Sequence, residues 1–328
     1  MATANDALPR MNPMKNETRI RLGKSAVLIP PMGIGAWAWG DRWYWGYGSS
    51  YSASDLRDAF RLCLDAGVDF FDTAEIYGFG TSEKLLGQFM RESQRTAVLA
   101  TKFFPLPWRL RRGDVTRALR TSLRRLDMKQ VDLYQIHWPF GLLSIEKRAE
   151  ALADTVDAGL TRAIGVSNYN LEQTQRTHTA LAQRGIPLAS NQIEYSLLQR
   201  EPERSGLMQL CNELGVRVIA YSPLAQGILS GKYSSKNCPP GLRGRNYSAH
   251  FLDAVQPLIQ LMRAIGVAHD SKSPSQVALN WVMCKGAVPI PGVKNARQAQ
   301  DNIGALGWRL TDAEVRALDE ASQGIASV

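Results

Sequence analysis

Short, continuous apolar runs recur along the chain, each followed by a longer stretch in which apolar residues return every three or four positions. The runs are MGIGAW (32–37), VDFFDT (68–73), TAVLATKF (96–103), VDLYQIHWP (131–139), LTRAIGVSN (160–168), IPLASNQ (186–192), VRVIAYSPL (216–224) and AVPIPGV (287–293). Runs of this kind suit strands covered on both faces, and the intervening period suits amphipathic helices. At five junctions the helical pattern ends in a glycine just before the next strand: Gly67, Gly159, Gly185, Gly215 and Gly286. Glycine closes a helix well because, lacking Cβ, it enters the left-handed region without steric cost. Polar caps mark helix starts at Ser54, Ser82 and Asp114, and Thr311 with Glu314 predicts a capping box for a last helix over 311–323.

Eight strands alternating with helices, without a linker or a shift in composition, predict an α/β fold: a (β/α)8 TIM barrel. The length of 328 residues suits one such barrel with insertions. Residues 18–30 predict a β-hairpin turning at Gly23-Lys24 ahead of the barrel, and extra helices follow the last strand. Residues 1–17 read as a disordered tail and 18–328 as a single barrel domain. Residues 224–250, rich in Gly, Pro and Ser, form a long loop after the seventh strand, and such loops in compact domains are usually functional.

Composition narrows the function classes. With 45% hydrophobic and 21% charged residues, the chain can bury a large core and has no disordered-protein signature. Part of the net charge of +9 sits at Arg109, Arg111, Arg112, Arg117, Arg120, Arg124 and Arg125. Their helical spacing reads as a solvated helix face, and no motif or aromatic interleaving supports a nucleic-acid surface. Cys63, Cys211, Cys238 and Cys284 lie far apart with no C-x-x-C, so neither a metal site nor a redox pair is signalled and free thiols of a reducing compartment are expected. There is no secretory apolar region near the start, and no stretch approaches the ~20 apolar residues of a membrane span. These features predict a cytoplasmic protein, a monomer or weak oligomer, with no nucleic-acid or membrane partner.

In barrels of this type the active site lies at the C-terminal ends of the strands. The polar residues predicted there are Asp72, Glu75 and Tyr77 after the second strand, Lys102 ending the third and His137-Trp138 ending the fourth. Ser167-Asn168 end the fifth, Asn191-Gln192 lie in the sixth and Tyr221-Ser222 end the seventh. A phenol holds its proton at neutral pH, a nearby ammonium lowers its pKa, and a carboxylate keeps that ammonium charged. Tyr77, Lys102 and Asp72 therefore form a candidate proton donor, with His137 orienting a carbonyl oxygen. The matching reaction is hydride addition to a carbonyl, and the hydride must come from a nicotinamide. Singly, each residue has a plainer reading as a cap, an ion-pair partner, a loop aromatic or a core histidine. Gly33-x-Gly35 and Gly78-x-Gly80 lack the third glycine of a Rossmann turn, so a dinucleotide must bind another way. Ser167, Asn168 and Gln192 suit a carboxamide, Tyr221 a stacked nicotinamide and the amides of 222–231 a pyrophosphate. Lys294, before a short helix, suits a phosphate, although Lys294 and Arg297 also read as ordinary surface charges.

The motifs DFFDTAEIYG (69–78), ATKF (100–103), LYQIHWP (133–139), GVSNY (165–169), SNQIEYS (190–196), AYSPLAQGILSGKY (220–233) and IPGVKNARQAQDN (290–302) resemble, in order, those of the aldo-keto reductase family, over about residues 18–322. The chain looks most like the family's plastid and bacterial branch of uncharacterised oxidoreductases. The resemblance implies NADPH, in preference to NADH, as cofactor and small-molecule carbonyl compounds as substrates. It implies Tyr77 as proton donor, tuned by Lys102 and Asp72, with His137 orienting the carbonyl. The implied cofactor contacts are Gly35, Ala36, Trp37, Asp72, Ser167, Asn168, Gln192 and Tyr221. They continue with Ser222, Pro223, Leu224, Gln226, Gly227, Leu229, Gly231, Lys232 and Arg243 in the long loop. Ile290, Pro291, Gly292, Lys294, Gln298, Asp301 and Asn302 complete the set. Many family members carry arginine where this chain has Gln298, which leaves the 2′-phosphate to Lys294, with Arg297 as a helper.

The first βα loop is dense in aromatics: Trp37, Trp39, Trp43, Tyr44, Trp45, Tyr47 and Tyr51. Trp37, Trp43, Tyr44 and Trp138, with Phe140 beside them, are candidate walls of an apolar substrate pocket, against the alternative that the cluster is simply packed loop. The competing function is a slow-turnover NADP(H)-binding redox sensor or regulatory subunit, resembling channel β-subunits. An isomerase or aldolase on a phosphate-binding barrel is a third alternative.

Overall fold

A computed structural model describes residues 19–325, apart from the side chains of Leu242 and Arg243. The expected tail over 1–17 lies outside the described residues. All eight expected strands form: β3 (Ile34–Gly35), β4 (Phe70–Asp72), β5 (Val98–Phe103), β6 (Val131–Ile136), β7 (Thr161–Ser167), β8 (Leu188–Glu194), β9 (Arg217–Tyr221) and β10 (Val288–Pro289). They pair in parallel in sequence order. The amides of Gly33 and Gly35 donate to the carbonyls of Pro289 and Pro291, both at 3.0 Å, and bring the first strand against the last. The result is a (β/α)8 barrel.

The expected hairpin also forms, from β1 (Ile20–Arg21) and β2 (Leu28–Ile29). Leu22, Val27 and Ile29 are buried against Phe70, Ala100, Leu133, Ala163, Ile219 and Val288. These barrel residues precede the polar strand ends, so the hairpin closes one mouth of the barrel and leaves the other open. Gly23 permits the close approach: a Cβ there would sit 2.4 Å from the Ala189 carbonyl oxygen.

Helices α1 (Ala53–Asp65), α2 (Thr81–Ser93), α3 (Gly113–Leu126), α4 (Ile145–Asp157), α5 (Leu171–Ala182), α6 (Glu201–Arg204) and α7 (Leu207–Leu214) lie in the connections. The long loop after β9 is built on short 3-10 turns over Ala225–Ser230 and Gly241–Asn246. Then come α8 (Ala249–Ala254), α9 (Gln256–Ala268), α10 (Pro274–Cys284), α11 (Ala296–Ile303) and α12 (Asp312–Ala321). All five junction glycines adopt positive φ. The two junctions without glycine reach the same backbone through Gln94 (φ +53°) and Asp127 (φ +56°), which closed those helices without a glycine signal.

Three helix starts differ from expectation. Ser52, not Ser54, caps α1, because Asp55 can return a hydrogen bond to the Ser52 amide (2.8 Å). Ser82 lies inside α2, where its buried hydroxyl donates to the Ala36 carbonyl (3.0 Å). Asp114 sits in the first turn of α3 and accepts from the Arg111 amide (2.9 Å). The capping box of Thr311 and Glu314 forms as expected. The expectation of no span-length apolar stretch is also corrected: residues 249–268, through α8 and α9, reach that length and composition. They bury Leu252, Val255, Leu258, Ile259 and Met262 in the core.

Packing is close where α2 crosses α3. A Cβ at Gly87 would lie 2.5 Å from the Leu126 carbonyl oxygen, whereas one at Gly113 meets nothing within 4 Å. Gly87→Ala should cost about 1–3 kcal/mol in urea denaturation. Gly113→Ala, at the first residue of α3, should leave stability unchanged or raise it by about 0.5 kcal/mol.

Candidate active site

Inward-facing positions two residues apart along neighbouring strands change from apolar to polar towards the open mouth: Phe70 then Asp72, Ala100 then Lys102, Leu133 then Gln135. This places a charged layer directly above the apolar filling. Lys102 is 0% exposed, and its Nζ donates to the Asp72 carboxylate, to the Thr73 carbonyl (2.9 Å) and to the Tyr77 hydroxyl (3.3 Å). Asp72 Oδ1 accepts from Gln192 Nε2 (2.7 Å) and Gln135 Nε2 (3.2 Å). The His137 and Tyr77 rings meet edge to face at 5.6 Å. The four expected catalytic side chains are thus brought together around one point.

Electrostatics modify the expected tuning. Burial, reinforced by the Asp72 charge, holds the Tyr77 phenol well above its ordinary pKa. Burial also pulls the Lys102 ammonium down, with Asp72 opposing the fall. Desolvation dominates here, so the phenol's net shift is upward despite the ammonium beside it. Tyr77 therefore keeps its proton until charge develops on an acceptor. Burial, with Lys102 adding to it, pushes His137 down to about 2, so the imidazole is neutral. Its buried Nδ1 has no hydrogen-bond partner. A bare acceptor is tolerated there more readily than an orphaned donor, which assigns the ring proton to Nε2.

A cavity of about 1170 Å³ opens at this mouth. Among the expected cofactor and substrate residues it is lined by Gly35, Trp37, Asp72, Trp138, Ser167, Asn168, Gln192, Tyr221, Ser222, Pro223, Leu224, Gln226, Gly227 and Lys232. Ile290, Pro291, Gly292, Lys294, Gln298, Asp301 and Asn302 line it too, and so does Arg297. Others fall elsewhere. Ala36 and Leu229 are buried in the core, and Gly231 packs towards Ile259. Trp43 is 85% exposed and outside the cavity. Tyr44 stacks on Trp37 (centroids 5.5 Å) instead of lining it. The Arg243 side chain lies outside the described residues.

The expected carboxamide ligands are largely paired among themselves. Ser167 Oγ donates to the Gln192 carbonyl (2.9 Å), and Asn168 Nδ2 donates to the His137 carbonyl and Ser167 Oγ (both 3.1 Å). The Tyr221 hydroxyl donates to Asn168 Oδ1 (2.9 Å). Ser222, Ala225, Gln226 and Gly227 all have positive φ, and the amides of Ala225 and Gly227 donate within the loop to the Ser222 (2.8 Å) and Leu224 (2.9 Å) carbonyls. At the far end Asn302 Nδ2 is buried without a partner beside Gln298 and Asp301, a donor suited to a purine edge. The charge pattern, the left-handed loop and this orphaned donor fit an extended dinucleotide phosphate. Lys294 Nζ donates to the Trp45 carbonyl (2.9 Å) and lies 4.7 Å and 5.0 Å from the Trp45 and Tyr51 ring centres. The Tyr44 hydroxyl donates to Gln226 (2.5 Å). The aromatic first loop therefore crosses the cleft and touches both of its sides.

Sequence reading missed Gln135, Glu194 and the Glu75–Arg109 and Glu83–Arg125 pairs. Gln135 was discoverable, being a polar residue in an apolar strand at the same parity as Leu133 and His137. Glu194, at the end of β8, lines the cavity, and burial raises its carboxyl pKa. The arginine run is not uniformly a solvated face. Arg112 and Arg117 pair at the surface, whereas Arg109 and Arg125 turn inward to Glu75 and Glu83.

A model of the Aldo/keto reductase family matches residues 31–323. The chain is 42% identical to the chloroplastic pyridoxal reductase of Arabidopsis thaliana, over 93% of this chain and 86% of that one. It is 37% identical to an uncharacterized oxidoreductase of Mycobacterium bovis, over 92% and 91%. Among solved structures, an aldo/keto reductase from Klebsiella pneumoniae in complex with NADP and acetate superposes with a TM-score of 0.69 at 27% identity, over 92% of this chain and 94% of that one.

The His137 environment has a signed consequence. Folding disfavours its protonated form, so stability is full above the unfolded value of 6.5 and falls as pH drops below it. His137→Gln should remove a dependence on the order of 1 kcal/mol per pH unit between pH 6.5 and 4, read by urea denaturation at several pH values.

Proposed function

The chain belongs to the aldo/keto reductase family, as an NADP(H)-dependent oxidoreductase, and on that premise we propose that it reduces aldehydes or ketones to alcohols with Tyr77 as proton donor. The observation that carries the reading is the contact of Lys102 Nζ with both the Tyr77 hydroxyl (3.3 Å) and the Asp72 carboxylate, at the floor of the cavity. Bound NADPH supplies the hydride. Ser167, Asn168, Gln192 and Tyr221 would hold its nicotinamide end, residues 222–232 its pyrophosphate, and Lys294, Gln298, Asp301 and Asn302 its adenosine phosphate.

His137, neutral, offers its Nε2–H to the substrate carbonyl and sets the oxygen beside the Tyr77 hydroxyl. As the oxygen gains charge, it becomes basic enough to take the phenol's proton. The Lys102 ammonium then lies beside the phenolate, and Asp72 keeps that ammonium charged.

For substrate class, Trp37 and Trp138 line the cavity, 37% and 38% exposed, and offer flat apolar surface to an aromatic aldehyde. The Arabidopsis relative is named a pyridoxal reductase, and pyridoxal is an aldehyde of this shape, so it is the first substrate to assay.

Tyr77→Phe should lower kcat for NADPH-dependent reduction of 4-nitrobenzaldehyde about 10²- to 10⁴-fold. NADPH binding, followed by fluorescence titration, should be retained. Equal rates in the two proteins remove Tyr77 from this role. Lys294→Met should raise the Kd for NADPH about 10- to 100-fold while leaving that for NADH nearly unchanged, a difference that isolates the 2′-phosphate.

A further inference from the structure

After Asp72 the chain leaves the barrel, carries Tyr77 over the mouth and returns at α2. The return runs through three successive left-handed residues: Gly78 (φ +53°), Phe79 (φ +54°) and Gly80 (φ +86°). This conformation is unfavourable for Phe79, whose side chain is exposed and gains no packing in exchange. Something else must hold the turn. Glu75, two residues before Tyr77, accepts both terminal nitrogens of Arg109, one of them at 3.0 Å, and also the Phe104 amide at 2.7 Å. Arg109 Nη1 also donates to the Phe104 carbonyl (2.9 Å), and its guanidinium covers the Phe103 ring at 4.9 Å. Phe103 and Phe104 directly follow Lys102, and the Phe104 ring stands edge-on to His137 at 5.6 Å. A single guanidinium thus ties the loop bearing Tyr77 to the segment that carries Lys102 and backs His137. Neither Arg109 nor Glu75 lines the cavity.

Resting on the reductase reading above, we propose that Arg109 is a positioning residue for the proton donor, its fork on Glu75 holding the Tyr77 hydroxyl within reach of Lys102. The planar fork matters because it fixes direction as well as distance, which a lysine at the same place does only in part. The Lys102–Tyr77 contact is already at the long end of a hydrogen bond, so a small displacement of the loop breaks it.

The test compares Arg109→Met, Arg109→Lys and Glu75→Gln with the wild type, using NADPH and 4-nitrobenzaldehyde. Arg109→Met should lower kcat about 10- to 100-fold, the scale of a misplaced catalytic group. The KM and the NADPH Kd should change by less than about threefold, and Arg109→Lys should recover part of the rate. On a Tyr77→Phe background, Arg109→Met should change the residual rate by less than about twofold, because the two residues act through one hydroxyl. An equal loss on both backgrounds, or a lowered Tm with kcat intact, overturns the proposal and leaves an ordinary structural ion pair. Should Arg109→Met fail to fold, Glu75→Gln carries the same comparison, since it keeps an acceptor for the Phe104 amide. Hydrogen exchange over residues 73–82 gives a readout independent of turnover: faster in Arg109→Met than in the wild type, with Arg109→Lys no slower than the wild type and no faster than Arg109→Met, if the fork holds the loop, and as slow in Arg109→Met as in the wild type if it does not. If Tyr77→Phe alone retains the full rate, Tyr77 is not the proton donor of the reading above, while the exchange result still judges the fork.

Discussion

An ammonium and a carboxylate, shut away from water at the mouth of an apolar barrel, set the terms for everything around them. Lys102 and Asp72 are both almost fully buried, and such a pair is tolerated only where its remaining hydrogen-bonding capacity is met. Gln135 and Gln192 meet it on the Asp72 side, the Thr73 carbonyl and the Tyr77 hydroxyl on the Lys102 side. The polar layer is therefore one connected network. Its members come from β4 and the loop after it, β5, β6 and β8, so the network has its geometry only when the barrel is closed.

That constraint also decides the protonation states. The low-dielectric surroundings that make the pair demanding hold the Tyr77 phenol protonated and the His137 imidazole neutral. A protonated phenol and a neutral N–H donor beside an enclosed cation suit the delivery of a proton to a developing alkoxide. An isolated phenol in water would hold its proton too, but without a positive neighbour to stabilise what remains afterwards.

The division of labour follows the barrel's anatomy. Strands supply the rigid chemical layer, and loops supply shape. The loop bearing Tyr77 adopts backbone that its own residues disfavour, and its hold comes from Arg109 and Arg125 reaching in from the next βα unit. The aromatic loop after β3 crosses the cleft and engages Gln226 on one side and Lys294 on the other. The cation expected to grip a 2′-phosphate is thus in contact with the loop that carries Trp37.

The sequence by itself determined the eight strands, their parallel order and the mouth at which the site lies. These rest on local signals: apolar runs bounded by helical period, and glycines at positions that must be left-handed. It also determined which residues gather there, since Asp72, Lys102, His137 and Gln192 end or nearly end their strands and Tyr77 follows at once. Local signals failed where a different local solution was used, as at Gln94 and Asp127, which close helices without glycine, and at Ser52, which outcompetes Ser54 through Asp55. Only the tertiary structure decided what contacts what. Burial is a property of all the strands together, so the upward shift of the Tyr77 phenol could not be read from its neighbours in the chain. Pairings across 34 positions, such as Glu75 with Arg109, or across 249, such as Trp45 with Lys294, leave no periodic trace. The outward turn of Trp43 and the inward turn of Arg109 were equally invisible, because a loop side chain takes its direction from what packs against it, not from its place in the sequence.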